Sequence, residues 1–153
     1  MKFFIEESSE IGLQHLVYLF DEYSFFTDKI NDKIDFELAV NKITLSVLNN
    51  RVIDLGGFCG FAEWNKSGCQ VPMYKKGILR VERNLKYGFV YGINDKEEYD
   101  YPTYVNTQTG WVCIGDPEKK GNAVEFITNC VAVIDDDMEF VSLWLKPEQL
   151  PDL

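Results

Sequence analysis

The chain has 153 residues, 46% hydrophobic and 14% aromatic, which predicts a single domain over residues 1–153 with a core that needs no disulfide or metal. Its formal net charge is −10, uneven along the chain: residues 1–76 carry net −3 and residues 77–153 net −7. These values exclude a disordered tail and argue against direct nucleic-acid binding, because phosphate contacts need clustered lysine and arginine.

No apolar run approaches the ~18 residues of a membrane span. The opening Met1-Lys2-Phe3-Phe4-Ile5 turns acidic at Glu6-Glu7, too short an apolar stretch for a signal peptide, so a cytoplasmic location is expected. Acidity commonly serves solubility, and it also steers a chain toward cationic partners.

Residues 1–7 read as a short strand with Phe3 and Ile5 on one face. Ser8 or Ser9 can cap a helix over residues 9–22, in which Leu13, Leu16, Val17 and Phe20 form an i, i+3, i+4, i+7 stripe. A second helix is predicted over 35–49, since Phe36, Val40, Ile43 and Val47 recur at helical spacing and Asn49-Asn50 can end it in a left-handed conformation. Within it, Ile43-Thr44-Leu45-Ser46-Val47 also alternates as a strand would, so a strand at 41–48 competes with this helix.

After Arg51 the pattern changes. The glycine-dense Gly56-Gly57-Phe58-Cys59-Gly60-Phe61 predicts a bend and then a strand containing Phe61 and Trp64, and residues 65–77 read as loop. Alternating runs follow: Leu79 and Val81; Tyr87, Phe89 and Tyr91; Trp111 and Cys113; Val124 and Phe126; Phe140, Ser142 and Trp144. Turn signals separate them at Gly92-Ile93-Asn94-Asp95, Gly115-Asp116-Pro117 and Lys120-Gly121-Asn122, and Asp135-Asp136-Asp137 reads as a hairpin turn. The order predicts an α+β fold, with N-terminal helices packed on a mainly antiparallel β-sheet. Val81, Phe89, Val124 and Phe126 are the candidates for the sheet face under the helices.

Motifs for chemistry are sparse. His15 is the sole histidine and has no carboxylate at a spacing that would orient it for acid–base work. Cys59, Cys69, Cys113 and Cys130 form no C-x-x-C pair, so no zinc site and four reduced thiols are expected. Gly56-Gly57-Phe58-Cys59-Gly60 lacks the Lys and Ser/Thr of a phosphate-binding loop. Asp135-Asp136-Asp137 with Glu139 offers oxygen ligands without the spacing of a calcium loop, and a solvated turn accounts for it. Nothing calls for a cofactor or a metal.

One segment departs from this plainness. In Glu97-Glu98-Tyr99-Asp100-Tyr101-Pro102-Thr103-Tyr104, acid and tyrosine alternate through a stretch with turn chemistry. A solvated loop explains the carboxylates alone; the interleaved tyrosines, large and stiff with a polar tip, point to a surface that meets a basic protein.

Thr109-Gly110-Trp111-Val112-Cys113-Ile114-Gly115 and Ser142-Leu143-Trp144-Leu145-Lys146-Pro147 resemble blocks in bacterial immunity proteins of contact-dependent growth inhibition and polymorphic toxin systems. The resemblance covers the last third of the chain. It implies a small cytoplasmic acidic protein that neutralises a cognate basic toxin domain, a nuclease, and it carries over no individual residue. The combined expectation is a binding protein rather than an enzyme, with no direct nucleic acid and no membrane. Its partner-binding residues are expected at Glu97, Glu98, Tyr99, Asp100, Tyr101 and Tyr104, with Asp135, Asp136 and Asp137 as a second patch. The alternatives are a small enzyme whose site assembles from distant residues, or an accessory or structural binding protein; the oligomeric state is not legible.

Overall fold

A computed structural model describes residues 1–29, 33–94 and 99–153. In chain order its strands are β1 (Phe3–Glu7), β2 (Leu16–Leu19), β3 (Ser24–Thr27), β4 (Phe36–Val40), β5 (Ile43–Leu48), β6 (Arg51–Phe58) and β7 (Asn65–Lys66). There follow β8 (Lys75–Val81), β9 (Val90–Gly92), β10 (Thr103–Val105), β11 (Val112–Gly115), β12 (Asn122–Ile127), β13 (Cys130–Ile134) and β14 (Phe140–Leu145). Among the described residues a single 3₁₀ turn at Phe61–Glu63 is the helical element. With 47% strand and 2% helix among the described residues, the structure overturns the expected α+β class: none of these residues forms a helix packed on the sheet, which curls on itself as a mixed half-barrel.

The two expected helices are hairpins. β2 pairs with β3, and β4 with β5, both antiparallel. In β4 and β5, Phe36, Leu38 and Val40, then Ile43, Leu45 and Val47, all point into the core. Alternation carried through a two-residue turn places Val40 and Ile43 three apart, and every second inward residue four apart. That 4-3-4 spacing imitates a helical stripe. Leu38 and Leu45, both buried, fit only the strands. Asn49 and Asn50 do adopt the left-handed conformation expected of them (φ 52° and 61°), but as the tight turn between β5 and β6. In the first segment Leu13 is 82% exposed, so the proposed stripe does not exist as a buried face.

The order across the sheet is β7-β10-β11-β14-β13-β12-β8-β6-β5-β4-β9. β8 joins its two parts: Lys75 and Lys76 pair with Val124 and Glu125 of β12, while Gly77–Val81 pairs with β1 and Arg80 meets Arg51 of β6. The main core lies inside the curl. Val81, Val124 and Phe126, expected beneath the helices, are instead buried within the curl, whereas Phe89 is 54% exposed and only Val90–Gly92 of its segment forms a strand. Each fully buried aliphatic side chain here stabilises by about 1.5–3 kcal/mol.

The sheet from β10 to β13 buries its outer face as well. Cys113, Val131, Val133, Val141 and Trp144 form a second cluster there, closed by Cys69 and Val71 of the connection before β8. Burial on both faces explains why Cys130–Ile134 and Val141–Leu145 read as nearly continuous apolar runs. The Asp135-Asp136-Asp137 turn joins β13 to β14 as a hairpin, as expected. The predicted bend at Gly56-Gly57 lies inside β6, and Phe61 and Trp64 belong to the 3₁₀ turn and its end rather than to a strand.

No helix among the described residues is long and apolar enough to cross a membrane.

Candidate partner-binding face

The segment from Tyr99 to Pro102 joins β9, at one edge of the sheet, to β10, beside the other edge strand β7. Two asparagines hold it. Asn41, in the β4–β5 turn with φ 55°, donates through Nδ2 to the Tyr101 carbonyl (3.0 Å) and accepts from the Tyr101 N–H at Oδ1 (2.9 Å). Asn65 Nδ2 donates to the Thr103 carbonyl at 3.1 Å. Side-chain amides thus supply the hydrogen bonds that a neighbouring strand would otherwise give.

This held segment is a ridge between two concavities, and Asp100, Tyr101 and Pro102 line both. On one side is a cleft of about 430 Å³ that also takes in Phe3, Tyr99, Glu139 and Phe140. On the other is a groove of about 820 Å³ walled by Tyr23, Phe58, Phe61 and Trp64.

The expected site residues do not share one surface. Tyr99 is 79% exposed, and the exposed carboxylate of Asp100 forms no ion pair among the described residues. The Tyr101 ring packs against Phe140 with centroids 5.5 Å apart, so it braces the ridge from below. Tyr104, opposite Cys113 in the sheet, packs on the outer cluster around Trp144. Glu97 and Glu98 lie outside the described residues.

The second patch is near the first. The β13–β14 turn leads into Glu139 and Phe140, which form the far wall of the cleft. Asp135 serves the turn itself: its Oδ1 accepts from the Asp137 and Glu139 N–H groups (2.9 Å each), and Oδ2 is 3.2 Å from Lys119 Nζ. The Glu139 amide and then Lys119 hold its carboxyl below the usual range. Asp136 and Asp137 are exposed at the tip, and the Asp137 carbonyl accepts from Lys2 Nζ.

Sequence reasoning missed the groove. Its aromatics come from the β2–β3 turn and the end of β6, linked by ring contacts: Tyr23 to Phe61 at 5.6 Å, Tyr23 to Phe58 at 6.3 Å and Phe61 to Trp64 at 6.3 Å. Tyr23 and Phe58 are each 47% exposed, while Tyr18 and Phe25 behind them are buried. Trp64 Nε1–H donates to Cys59 Sγ at 3.3 Å, and Tyr18 Oη–H donates to the Cys59 carbonyl at 2.6 Å. Burial pushes the Tyr18 hydroxyl up to about 12, helped by the Cys59 thiol, and raises Cys59 as well. The available signal was Phe58 and Phe61 interleaved with the glycines.

Gly57 has φ 142°, and a Cβ there would run into the Lys42 carbonyl and crowd the Ile43 Cα. Glycine lets the β4–β5 turn close onto β6, which brings Asn41 to the ridge and Lys42 Nζ to 5.4 Å from the Phe58 ring centroid.

His15 Nδ1 lies 3.4 Å from Asp28 Oδ2, but both side chains are exposed and neither lines the cleft or the groove. All four cysteines are free, and among the described residues no three His, Cys, Asp or Glu side chains gather as metal ligands. The two blocks that carry the family resemblance are adjacent strands, Val112–Gly115 of β11 against Ser142–Leu145 of β14, buried within the sheet. No protein-family model and no curated protein matches the chain.

Proposed function

We propose that this chain is a non-enzymatic cytoplasmic immunity protein. It binds a cognate basic toxin domain, a nuclease, and covers the cationic groups with which the toxin holds nucleic-acid phosphates. The observation that carries the reading is the ridge: an exposed tyrosine at Tyr99 and, at Asp100, an exposed carboxylate with no ion pair among the described residues, above the Asn41 clamp and Tyr101. A contact surface ordered before binding loses little conformational freedom on association, which raises affinity. The acidic turn at Asp136 and Asp137 extends the negative surface beyond the adjoining cleft, and the net charge of −10 favours encounter with a cationic partner.

Co-expression with the product of the neighbouring reading frame, as the candidate toxin, tests this function. The wild-type chain is expected to restore growth and to co-purify with the toxin, and the Tyr99→Ala/Asp100→Asn variant to lose protection while staying folded. A folded wild-type chain that leaves that toxin fully active contradicts the reading.

A further inference from the structure

The aromatic groove on the far side of the ridge is chemically distinct from the acidic surface itself. Tyr23, Phe58 and Phe61 present exposed or half-exposed ring surface, Trp64 closes the floor, and Glu63 and Asp100 supply carboxylates at the lining. Neither carboxylate forms an ion pair among the described residues. Aromatic faces beside uncompensated carboxylates attract a cation twice over, through the ring quadrupole and through charge. The molecule already displays that preference: Lys42 Nζ sits 5.4 Å from the Phe58 centroid.

We infer that the groove is the receptor for a basic side chain of the partner, an arginine above all, and that Lys42 occupies part of it until the partner arrives. The inference rests on the partner reading above and names the chemistry of its anchor. Arginine suits the walls better than lysine, because its planar guanidinium stacks on an aromatic ring while its edge donates to a carboxylate. Lys42 is exposed and rides on a flexible stem, so it can leave the ring without disturbing β5. Its departure removes a like charge from the incoming cation. A groove of about 820 Å³ is ample for one side chain and part of the backbone that carries it.

The test uses the intact chain and a small probe, so it is independent of any toxin. N-acetyl-arginine methylamide is titrated against the protein while the Trp64 indole N–H is followed by NMR. That N–H donates to Cys59 Sγ beneath the groove, and a Trp64→Phe variant assigns its signal among the three tryptophans. Saturable displacement of the Trp64 signal is expected with the arginine probe and not with N-acetyl-leucine methylamide. Lys42→Met is expected to tighten probe binding roughly 2–5-fold, and Phe58→Leu and Glu63→Gln each to weaken it. Equal response to the leucine probe, no response to the arginine probe, or Lys42→Met binding that is unchanged or weaker overturns the inference. If the probe fails while the toxin still binds through Tyr99 and Asp100, the groove assignment falls and the partner reading stands.

Discussion

Three residues show how single side chains set the geometry of this face. Gly57 is needed where β6 passes under the β4–β5 turn, since its φ of 142° and the nearby Lys42 carbonyl leave no room for a Cβ. Gly57→Ala is expected to lower stability by about 1–3 kcal/mol, read as a fall in melting temperature, and to loosen the Asn41 clamp on Tyr101. Tyr18 makes the structure sensitive to base. Its folded value of about 12 exceeds the ordinary value of 10.0, so the folded state binds the extra proton between the two. Stability should be fully present below pH 10 and fall as pH rises toward 12; Tyr18→Phe should flatten that alkaline limb in urea titrations. Asp135 works with the opposite sign. Its value is lowered, so its contribution is present above the ordinary carboxylate range and lost as pH falls through the folded value. Asp135→Asn should therefore be less stable at neutral pH and flatter on the acid limb.

At the scale of elements, the sequence revealed conformations better than it revealed partners. The left-handed habit of Asn49 and Asn50, the hairpin at Asp135-Asp136-Asp137 and the strands at Leu79, Val124 and Phe140 were all legible, because turn chemistry and period-two alternation are local. The N-terminal hairpins were legible only in part: the alternation of Ile43-Thr44-Leu45-Ser46-Val47 offered the strand at 41–48 that the structure has as β5, but a two-residue turn converts the alternation across β4 and β5 into spacings of three and four that also fit a helix. Only the burial of Leu38 and Leu45, or the β-branched Ile43, Thr44 and Val47, separates the two readings. The turn at Asn49-Asn50 gives a direct check. Asn49→Gly should hold or raise stability, because glycine takes φ of 52° at no steric cost, whereas Asn49→Ala should cost about 1–2 kcal/mol in thermal or urea unfolding. The ridge was legible as an unusual segment but not as a structure. Its composition marked Tyr99 and Asp100, while the opposite fates of Tyr101 and Tyr104 depend on which face of the sheet each meets. Tyr101→Ala should lower the melting temperature by removing the contact with Phe140, as befits a brace beneath the exposed surface.

For the whole molecule, the relevant property is how charge and aromatic surface are distributed. Two cations are already matched along the paired strands β1 and β8, where Lys75 meets Glu7 and Arg80 meets Glu6 at 2.9 and 2.8 Å. The carboxylates of Asp100, Asp136 and Asp137 have no such partners among the described residues and stand at the ridge and the nearby turn. The residues of the ridge and the turn were marked in the sequence, but their gathering with the aromatic groove was not, because it depends on a curl that joins residues 3, 23, 41, 58, 101 and 140. Unpaired surface carboxylates contribute little to folding and much to encounter, which separates a binding role from a structural one. The central claim, that this acidic surface meets a basic toxin, is tested most directly by association kinetics of the Asp100→Asn/Asp136→Asn/Asp137→Asn variant with the toxin over a range of salt. The account predicts slower association and a shallower salt dependence than wild type, with dissociation and melting temperature nearly unchanged. Association as fast as wild type at low salt, with the same salt dependence, would contradict it.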